Sequence, residues 1–498
     1  MIKQKSIEER SSYRGIFKAT SLFGGVQVYQ ILVSVIKSKF IAVLLGPLGV
    51  GVLGLYQSAI QFIQSLTSMG LKSSAVRDVS EANGCGDIEK VAAVVKSLRR
   101  LVWCTGLFGM LIVIAFSPVL SETSFGDNMH IVPFICLSLT LLLDQICAGQ
   151  NVVLQGMRRL KHLAMASAIG ATASLVVSIP LYYIYGVNGI VPTLILNSIS
   201  FLIISYLFAR KVKLPQVNQT IKETFKRGNG MLRMGLAMSW NGILVYGCAY
   251  VLRWFVRIET GTEAVGLFTA GFTIINSYVG MVFNAIGTDY YPRLAAANDS
   301  NEKMRKIVNQ QGEIATLIMA PLLMICIVLM PIVIQILYSD KFLEANEYVI
   351  FAAIGMMFKL GSWLIAYQFI AKGESRLFVI NETITNFYFL IISIIAYKVY
   401  GLAGLGIATT VCFLIYFIQV YVIARRKYGY CMSRDFRVIM IIDLLLLCSC
   451  LVLSKLGSQS ILYGIGGLLI LCSCFYSLKE LDSRMRIFDF VKNRFKKI

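Results

Sequence analysis

The sequence predicts an all-α polytopic membrane protein with about fourteen transmembrane helices. Of its 498 residues, 57% are hydrophobic, and the mean hydropathy of +0.71 is far above what the core of a soluble protein uses. The apolar residues are gathered in long runs separated by short polar stretches. Between these runs, loops rich in Lys and Arg alternate with loops that contain few of them, as in proteins that cross a membrane many times.

The predicted helices follow the apolar runs in order. About 20 residues cross the hydrocarbon of a bilayer, and the runs reach or approach that length. They cover residues 20–45, 51–76, 98–117, 134–156, 163–184, 190–209, 233–256, 264–291, 308–338, 344–371, 377–397, 404–424, 436–454 and 461–478. The first run follows a polar tail and is too long for a signal-peptide core, so we expect it to remain as a helix.

The positions of the basic residues predict the orientation of the chain. Eight regions, one at every second connection and at both ends, contain 38 of the 47 Lys and Arg residues. The seven loops between them contain four, namely Arg257, Lys341, Lys398 and Lys455. The positive-inside rule therefore places both termini in the cytoplasm. The net charge of +21 is explained by this topology and does not indicate binding to nucleic acid.

A polar linker at residues 210–232 divides the first twelve predicted helices into two sets of six. A shift of 215 residues aligns Gly51 with Gly266, each at the start of a second helix, which indicates two parallel repeats. The predicted organisation is a cytoplasmic tail (1–19), an N-terminal lobe (20–209), the linker (210–232), a C-terminal lobe (233–427), two extra helices (428–478) and a second cytoplasmic tail (479–498).

The cysteines and histidines predict neither a metal site nor a disulfide framework. Nearly all twelve cysteines lie in apolar runs, and none lies in a predicted outer loop. The two histidines, His130 and His162, lie in loops on opposite sides of the membrane and cannot form one site.

Basic residues inside the predicted helices are the first candidates for a binding site. Lys37, Arg253 and Lys359 lie too far from a helix end for their side chains to reach the interface, so they predict a water-filled cavity. Lys72 ends a polar stripe on the second helix and is a fourth candidate, although its place near the cytoplasmic end also fits a loop charge.

Uncharged polar and aromatic residues recur at helical spacing on several of these helices. Such side chains suit the hydroxyl groups and faces of sugars, but Ser, Thr and Asn also hold transmembrane helices together. The predicted cavity-lining residues are Gln30, Gln57, Gln61, Gln64, Tyr246, Tyr250, Asn276, Asn284 and Trp363.

Intramembrane acids are the third group of candidates. Asp144, Asp289 and Glu382 could each bind a coupling ion or act as a counter-ion to a lysine or arginine. Asp443 lies in the two extra helices and is the weakest candidate of this kind. No cofactor is expected beyond H⁺ or Na⁺ coupling, and no glycine-rich nucleotide loop indicates direct use of ATP.

The cationic bias of the predicted cavity favours an anionic substrate. An exporter of organic cations would need acidic and aromatic walls, whereas lysine and arginine bind phosphate or pyrophosphate through charge-assisted hydrogen bonds. The polar and aromatic lining adds a preference for sugar. A phosphorylated glycan is therefore the predicted class of substrate.

Several motifs resemble the O-antigen and polysaccharide flippases of the multidrug/oligosaccharidyl-lipid/polysaccharide exporter superfamily. LLGPLGVG (Leu44–Gly51) resembles their glycine-rich turn after the first helix, and YYPRLA (Tyr290–Ala295) resembles the end of their eighth. The most specific resemblance lies in SDKF (Ser339–Phe342), KLGSWLIAYQFIAKGESRLFVINE (Lys359–Glu382) and GLAGLGIA (Gly401–Ala408). The similarity covers roughly residues 15–427.

The resemblance implies a V-shaped pair of six-helix lobes in the bacterial inner membrane. Such a protein would carry an undecaprenyl-pyrophosphate-linked oligosaccharide, for lipopolysaccharide or capsule, to the outer leaflet by alternating access. Lys37 and Lys359 match cationic positions of the family, and Arg253 is consistent with the same role. The implied partners are the lipid-linked substrate, membrane lipids, a polysaccharide polymerase and a chain-length regulator. The two extra helices depart from many members, so the sugar is not specified.

Two other functions fit the same predicted fold less well. A cation-coupled multidrug or small-molecule exporter is disfavoured by the basic cavity. A glycan-assembly enzyme usually needs a large outer loop with catalytic acids, but the longest loop here, residues 117–133, is short. Its Glu122, Asp127 and His130 are typical of a solvated turn.

Overall fold

The computed structural model describes the backbone of residues 2–485. It also describes the side chains of residues 25–484, except those at 225–227, 233–234, 237–238, 278, 284–285, 288–289 and 292. Every regular element in this part of the chain is helical, which confirms the predicted all-α class. Ten helical stretches within it are long and apolar enough to cross a membrane. Two of these stretches, Leu160–Ala209 and Ser375–Tyr428, each contain two of the predicted helices, and a third, Gly25–Thr67, contains most of two more.

The helices are named in chain order. They are α1 (Ile2–Thr67), α2 (Leu71–Gly84), α3 (Ile88–Phe125), α4 (Ile131–Gly156), α5 (Leu160–Tyr185), α6 (Ile190–Ala209), α7 (Ile221–Thr260), α8 (Thr262–Thr273), α9 (Met281–Ala296), α10 (Asn301–Val328), α11 (Met330–Leu337), α12 (Asn346–Ala371), α13 (Ser375–Tyr428), α14 (Arg434–Leu456) and α15 (Gln459–Met485). Short 3₁₀ helices, Gly186–Gly189 and Asp340–Ala345, connect α5 to α6 and α11 to α12, and a π-helical turn, Ile274–Val279, follows α8.

The chain divides into two compact units between Ile258 and Glu259. The first unit contains α1 to α6 and nearly all of α7, and the second contains the remaining helices. Residues 221–232, which the sequence analysis assigns to a polar linker, form the beginning of α7. The arrangement of two six-helix lobes stays a prediction.

Two predicted turns are kinks inside long helices. Gly46, followed by Pro47, has φ 64° in α1, and Gly401 has φ 56° in α13. A positive φ is costly for residues with a Cβ atom but open to glycine, and proline cannot donate the helical hydrogen bond at the next position. The kink at Gly46 therefore separates the predicted helices 20–45 and 51–76, and the kink at Gly401 separates 377–397 from 404–424.

The prediction of one helix over residues 51–76 is wrong. α1 ends at Thr67, and Met69 (φ 47°) and Gly70 (φ 59°) break the chain before α2 begins. The physical reason is a close approach of two backbones, because a Cβ atom on Gly70 would lie 2.1 Å from the carbonyl oxygen of Gly235 in α7. The polar stripe from Gln57 to Lys72 is consequently interrupted, and Lys72 is an exposed residue of α2.

The remaining part of the polar linker is fixed to α3. The Arg100 guanidinium donates to the carbonyl oxygen of Gln219 at 2.9 Å and to the Thr224 hydroxyl at 2.7 Å. A capping box starts α7, since the Thr220 amide donates to the Glu223 carboxylate and the Glu223 amide donates to the Thr220 hydroxyl. These contacts place the beginning of α7 in the first unit.

The turn between α3 and α4 is held by a histidine. The His130 Nδ1 lies 2.6 Å from the Tyr56 hydroxyl of α1, and the imidazole stacks on Phe125 with ring centroids 3.7 Å apart. The Asp127 carboxylate lies 3.9 Å from His130 Nε2. Burial lowers the pKa of His130, and the negative charge of Asp127 opposes this shift. The residues of this loop predict a solvated turn, but in the structure the ring of His130 packs against the aromatic side chains of Tyr56 and Phe125.

We expect this histidine to make the folded protein less stable in acid. Because its pKa is lower in the folded state, the unfolded chain takes up the proton first as pH falls below about 6.5. The free energy of unfolding should then decrease until pH reaches the folded pKa. Melting temperatures of purified protein at pH 7.5 and 5.5 would measure this loss, which should be smaller in His130→Gln than in the wild type. His162→Gln is the matched control and should retain the wild-type loss; equal losses in all three proteins would contradict the assignment.

In the second unit, α12 is the most buried helix among the candidate membrane spans, and it packs against α10 and α13. The two extra helices, α14 and α15, pack on α10. A polar cluster fixes them there: Asn309 Nδ2 donates to the Cys431 carbonyl at 3.1 Å, and Glu313 accepts from the Ser433 hydroxyl at 2.9 Å and from Arg484 Nε at 3.1 Å. The extra helices are thus an integral part of this unit.

Candidate functional site

The Lys359 ammonium lies in the interior of the second unit. Its Nζ atom donates to Asn276 Oδ1 at 3.2 Å and lies 5.1 Å from the ring centroid of Phe413 and 5.7 Å from that of Phe283. Two aromatic faces and a neutral amide stabilise a cation, but each does so less strongly than a directly bonded carboxylate. This arrangement holds a positive charge within the membrane region while leaving it able to attract an anion.

Asn276 reaches Lys359 from a π-helical turn. The turn spans Ile274–Val279, and the Asn276 amide also donates to the Phe272 carbonyl at 3.3 Å. π-turns within helices occur frequently at functional sites because the extra residue redirects side chains. The predicted helix at 264–291 is therefore interrupted at the point where Asn276 meets Lys359.

Glu382 of α13 lies close enough to Lys359 for an electrostatic interaction. Its Oε1 atom accepts a hydrogen bond from the Tyr416 hydroxyl at 2.5 Å. On the same helix, Asn381 Oδ1 accepts from Gln419 Nε2 at 2.6 Å. Tyr416 thus holds the carboxylate in place, and the role of Glu382 as a counter-ion to Lys359 stays a prediction.

Trp363 lies one turn beyond Lys359 on α12 and belongs to an aromatic cluster. Its ring centroid lies 4.5 Å from that of Tyr367 and 5.5 Å from that of Phe283. Tyr290 packs on the same indole, and its hydroxyl donates to the Leu364 carbonyl at 2.6 Å. Phe283 touches both Lys359 and Trp363, so the cation and the aromatic cluster form one continuous group.

In the first unit, Lys37 of α1 donates to the Ser174 hydroxyl of α5 at 2.7 Å. Two turns earlier on α1, the Tyr29 hydroxyl lies 2.7 Å from the Thr172 hydroxyl, so the same two helices share a second polar contact. The partner of Lys37 is a neutral hydroxyl, which competes weakly with a phosphate for the ammonium. Lys37 is half-buried.

Arg253 of α7 is only 8% exposed. Its guanidinium donates to the carbonyl of Ala249, one turn earlier in the same helix, at 3.2 Å. Nearby on α7, the Tyr250 hydroxyl lies 2.8 Å from that of Thr123 and 3.0 Å from that of Ser124. Tyr250 therefore connects α7 to α3, a packing role that the sequence analysis assigns to Ser and Thr residues.

The glutamines of α1 differ in exposure. Gln57 and Gln61 are exposed, Gln30 and Gln64 are half-buried, and Tyr246 of α7 is 42% exposed. These side chains are accessible to a polar ligand, as a lining residue must be. Their contact with substrate stays a prediction, as does the role of Lys72.

The predicted acids have different surroundings. Asp144 of α4 is half-buried and forms a side-chain hydrogen bond with Ser198 of α6. Glu382 interacts electrostatically with Lys359, one of the predicted cations. The side chains of Asn284 and Asp289 lie outside the described residues.

The structure thus brings together Lys359, Asn276, Glu382 and Trp363, all of which the sequence analysis selects. Lys37 and Arg253 lie in the other unit, and a cavity shared by all three cations stays a prediction. Sequence reasoning missed Phe413 and Tyr416, because single aromatic residues in an apolar helix carry no signal of their own. Only their spacing of three residues, which places them on neighbouring faces of one helix turn, could have associated them.

Comparisons with known proteins agree with this architecture. Residues 40–347 match the family described as polysaccharide biosynthesis protein. The chain is also similar to the lipid III flippases of Escherichia coli (strain K12) and Shigella flexneri, each 19% identical over 76% of this chain and 91% of the relative.

Two solved structures share the fold. The lipid II flippase MurJ in an inward closed conformation has a TM-score of 0.70 at 14% identity, covering 93% of this chain and 99% of MurJ. An inward-facing multidrug resistance MATE family transporter of the MOP superfamily has a TM-score of 0.67 at 17% identity, covering 80% and 94% of the two chains. The predicted resemblance is confirmed by the family match, and the two solved structures show that the chain shares their fold.

Proposed function

Because the chain belongs to the polysaccharide biosynthesis protein family, we propose that it is a flippase for an undecaprenyl-pyrophosphate-linked oligosaccharide. The cargo is a repeat unit of an O-antigen, a capsule or a similar glycan. It moves from the cytoplasmic to the outer leaflet of the bacterial inner membrane. The names of the curated relatives, lipid III flippases, and of MurJ, a lipid II flippase, support this substrate class.

The observation that carries the proposal is the Lys359 site. A lysine inside a transmembrane helix is expensive and is kept for binding or transport. Here its ammonium has a neutral amide acceptor, two aromatic faces and a carboxylate within electrostatic range. A pyrophosphate would replace the weaker contacts with charge-assisted hydrogen bonds.

Glu382 gives this site a means of release. When no substrate is bound, the carboxylate neutralises part of the lysine charge, and when pyrophosphate binds, Lys359 exchanges one anionic partner for another. Such an exchange keeps the ammonium stabilised at every step of transport, so neither uptake nor release leaves a bare charge in the membrane.

The headgroup and the lipid tail need different surroundings. In the proposed mechanism, the sugar and pyrophosphate occupy a polar cavity while the polyprenyl tail stays in lipid. Alternating access then turns the cavity from the cytoplasmic to the outer side. Lys37 and Arg253 would supply further positive charge along the route. Both termini lie in the cytoplasm in this proposal, and a polymerase and a chain-length regulator act on the delivered unit.

A second candidate is a cation-coupled exporter of small molecules. It is favoured by the aromatic cluster of Trp363, Tyr367 and Phe283, because organic cations bind to aromatic faces. The superfamily fold serves both substrate classes in the solved structures.

A leaflet-resolved mass analysis of polyprenyl-pyrophosphate sugars distinguishes the two candidates. Cells that lack the gene and carry no redundant flippase should accumulate complete repeat units that face the cytoplasm, and the wild-type gene should restore their export. The mass of the accumulated lipid would identify the glycan. An unchanged lipid pool combined with sensitivity to organic cations would favour the exporter instead.

A further inference from the structure

Asp443 of α14 is the most deeply buried acid among the described residues. Its exposed fraction is 0%, and neither carboxylate oxygen has a hydrogen-bond partner in the described part of the chain. A bare carboxylate in an apolar interior costs far more free energy than a folded protein can offset, so it must be neutralised by a bound cation or proton. Nothing in the proposed transport site uses this residue.

Two serine hydroxyls on the neighbouring helix α15 are also without partners. Ser473 and Ser477 lie one turn apart and are 0% and 4% exposed, and neither hydroxyl has a partner in the described residues. Other serines of these two helices donate to a carbonyl three or four residues back, as Ser449 and Ser454 do. The hydroxyls of Ser473 and Ser477 instead leave their oxygen atoms available to another group.

The helix register places Asp443 and Ser477 at about one level, with Ser473 one turn further along. Leu317 of α10, Ile439 of α14 and Leu481 of α15 form one buried cluster. Asp443 lies one turn beyond Ile439, and Ser477 lies one turn before Leu481. A connection of only two residues makes α14 and α15 antiparallel. The step from Ile439 to Asp443 and the step from Leu481 to Ser477 therefore lead in the same direction along the bundle.

α10 contributes an oxygen at the same level. Pro321 lies inside α10 and has no amide proton, so the carbonyl of Leu317 lacks its usual helical donor. Helical carbonyls point toward the C-terminal end of the helix. Asn309 and Glu313 of α10 contact Cys431 and Ser433, and Leu317 lies beside Ile439, so the two helices run in the same direction and this carbonyl points toward the level of Asp443. Freed carbonyls at broken positions of transmembrane helices are ligands for Na⁺ in transporters.

The charged groups around this position are engaged elsewhere. Tyr476 of α15 lies close enough to Asp443 for an electrostatic interaction. Glu480 and Arg484 lie further along α15, where Arg484 pairs with Glu480 and with Glu313 of α10. In the described residues no lysine, arginine or histidine pairs with Asp443, and the local charge is therefore that of one carboxylate.

We propose that Asp443, Ser473 and Ser477 form a binding site for a monovalent cation, Na⁺ or a proton, between α10, α14 and α15. One carboxylate charge matches one positive charge, and oxygen atoms are the ligands that hard cations prefer. The cation neutralises Asp443 and holds the two extra helices against α10. This site is independent of the proposed substrate and of the Lys359 site.

Thermal unfolding of the purified full-length protein tests the proposal. Melting temperatures are measured at constant ionic strength while NaCl replaces choline chloride at pH 8, and then without Na⁺ between pH 8 and pH 6. A ligand that binds only the folded state raises the melting temperature with saturation. Asp443→Asn is compared with Asp435→Asn, which removes an exposed carboxylate from the same helix.

We expect the wild type and Asp435→Asn to be stabilised by Na⁺ and Asp443→Asn to lose that response. When Na⁺ has no effect, we expect the change in melting temperature from pH 8 to pH 6 to be more favourable in the wild type and Asp435→Asn than in Asp443→Asn. The double variant Ser473→Ala/Ser477→Ala keeps the carboxylate and should weaken a Na⁺ response by about tenfold in concentration. If Asp443→Asn does not fold, the Na⁺ response of this double variant is the measurement that tests the proposed site. The proposal would be overturned if the melting temperature of the wild type responded to neither ion. It would also be overturned if the Asp443 variant and the double serine variant responded as the wild type does.

Discussion

Replacing Lys359 with methionine is expected to reduce translocation of the lipid-linked oligosaccharide roughly 10- to 100-fold, since a hydrogen bond to a charged group contributes about 1.5–3 kcal/mol. Methionine retains the apolar stem that packs beside Phe283 and Phe413, so folding and insertion should be preserved. The loss would then come from the missing ammonium and its contact with the pyrophosphate.

The measurement is the leaflet-resolved amount of lipid-linked repeat units in cells that carry the variant in place of the wild type. Lys398→Met is the matched control, because Lys398 is an exposed residue of the same unit, and it should export at the wild-type rate. Membrane abundance of both variants must equal that of the wild type. Normal export by Lys359→Met would show that Lys359 is a packing residue and would remove the main support for the proposed function.

A second substitution separates binding from release. Glu382→Gln keeps the acceptor for the Tyr416 hydroxyl but removes the negative charge beside Lys359. Without the carboxylate, nothing replaces pyrophosphate as the anionic partner of Lys359, so this variant should bind the substrate more tightly and release it more slowly. Lys359→Met, in contrast, should bind the substrate less tightly than the wild type does.

The sequence was sufficient to predict most of the membrane helices, because their apolar length is set by the bilayer, but it did not predict where α1 ends and α7 begins. It also makes Lys359, Asn276 and Glu382 candidates, since a charged or amide side chain in an apolar run has few explanations, and their binding role stays a prediction. Their meeting within one unit agrees with that reasoning.

What the sequence could not predict depends on contacts between distant helices. Gly70 is the one local signal of the break before Lys72. The approach of Gly235, which lies 165 positions after Gly70, cannot be seen in the neighbouring sequence. The π-turn at Asn276 has no sequence signal either. The position of Asp443 in the extra helices makes it the weakest candidate by sequence. Its complete burial without a hydrogen-bond partner nevertheless gives it a large cost of carrying a negative charge.

Replacing Gly235 with alanine is expected to destabilise the first unit by about 1–3 kcal/mol, the usual cost of adding atoms to a packed site. A Cβ atom at this position would lie 2.1 Å from the carbonyl oxygen of Met69 and 3.0 Å from the carbonyl carbon of Gly70. Both contacts are with backbone, which cannot rotate away as a side chain can. α7 must therefore move away from the break that follows α1.

Gly242 of the same helix provides the matched control. A Cβ atom there would meet nothing within 4 Å, so Gly242→Ala should gain up to about 1 kcal/mol from the higher helix propensity of alanine. The two identical substitutions, seven residues apart on α7, are expected to shift the melting temperature in opposite directions. If Gly235→Ala were as stable as Gly242→Ala, the close approach of α7 to Met69 and Gly70 would be wrong, and with it the reason why α1 ends at Thr67.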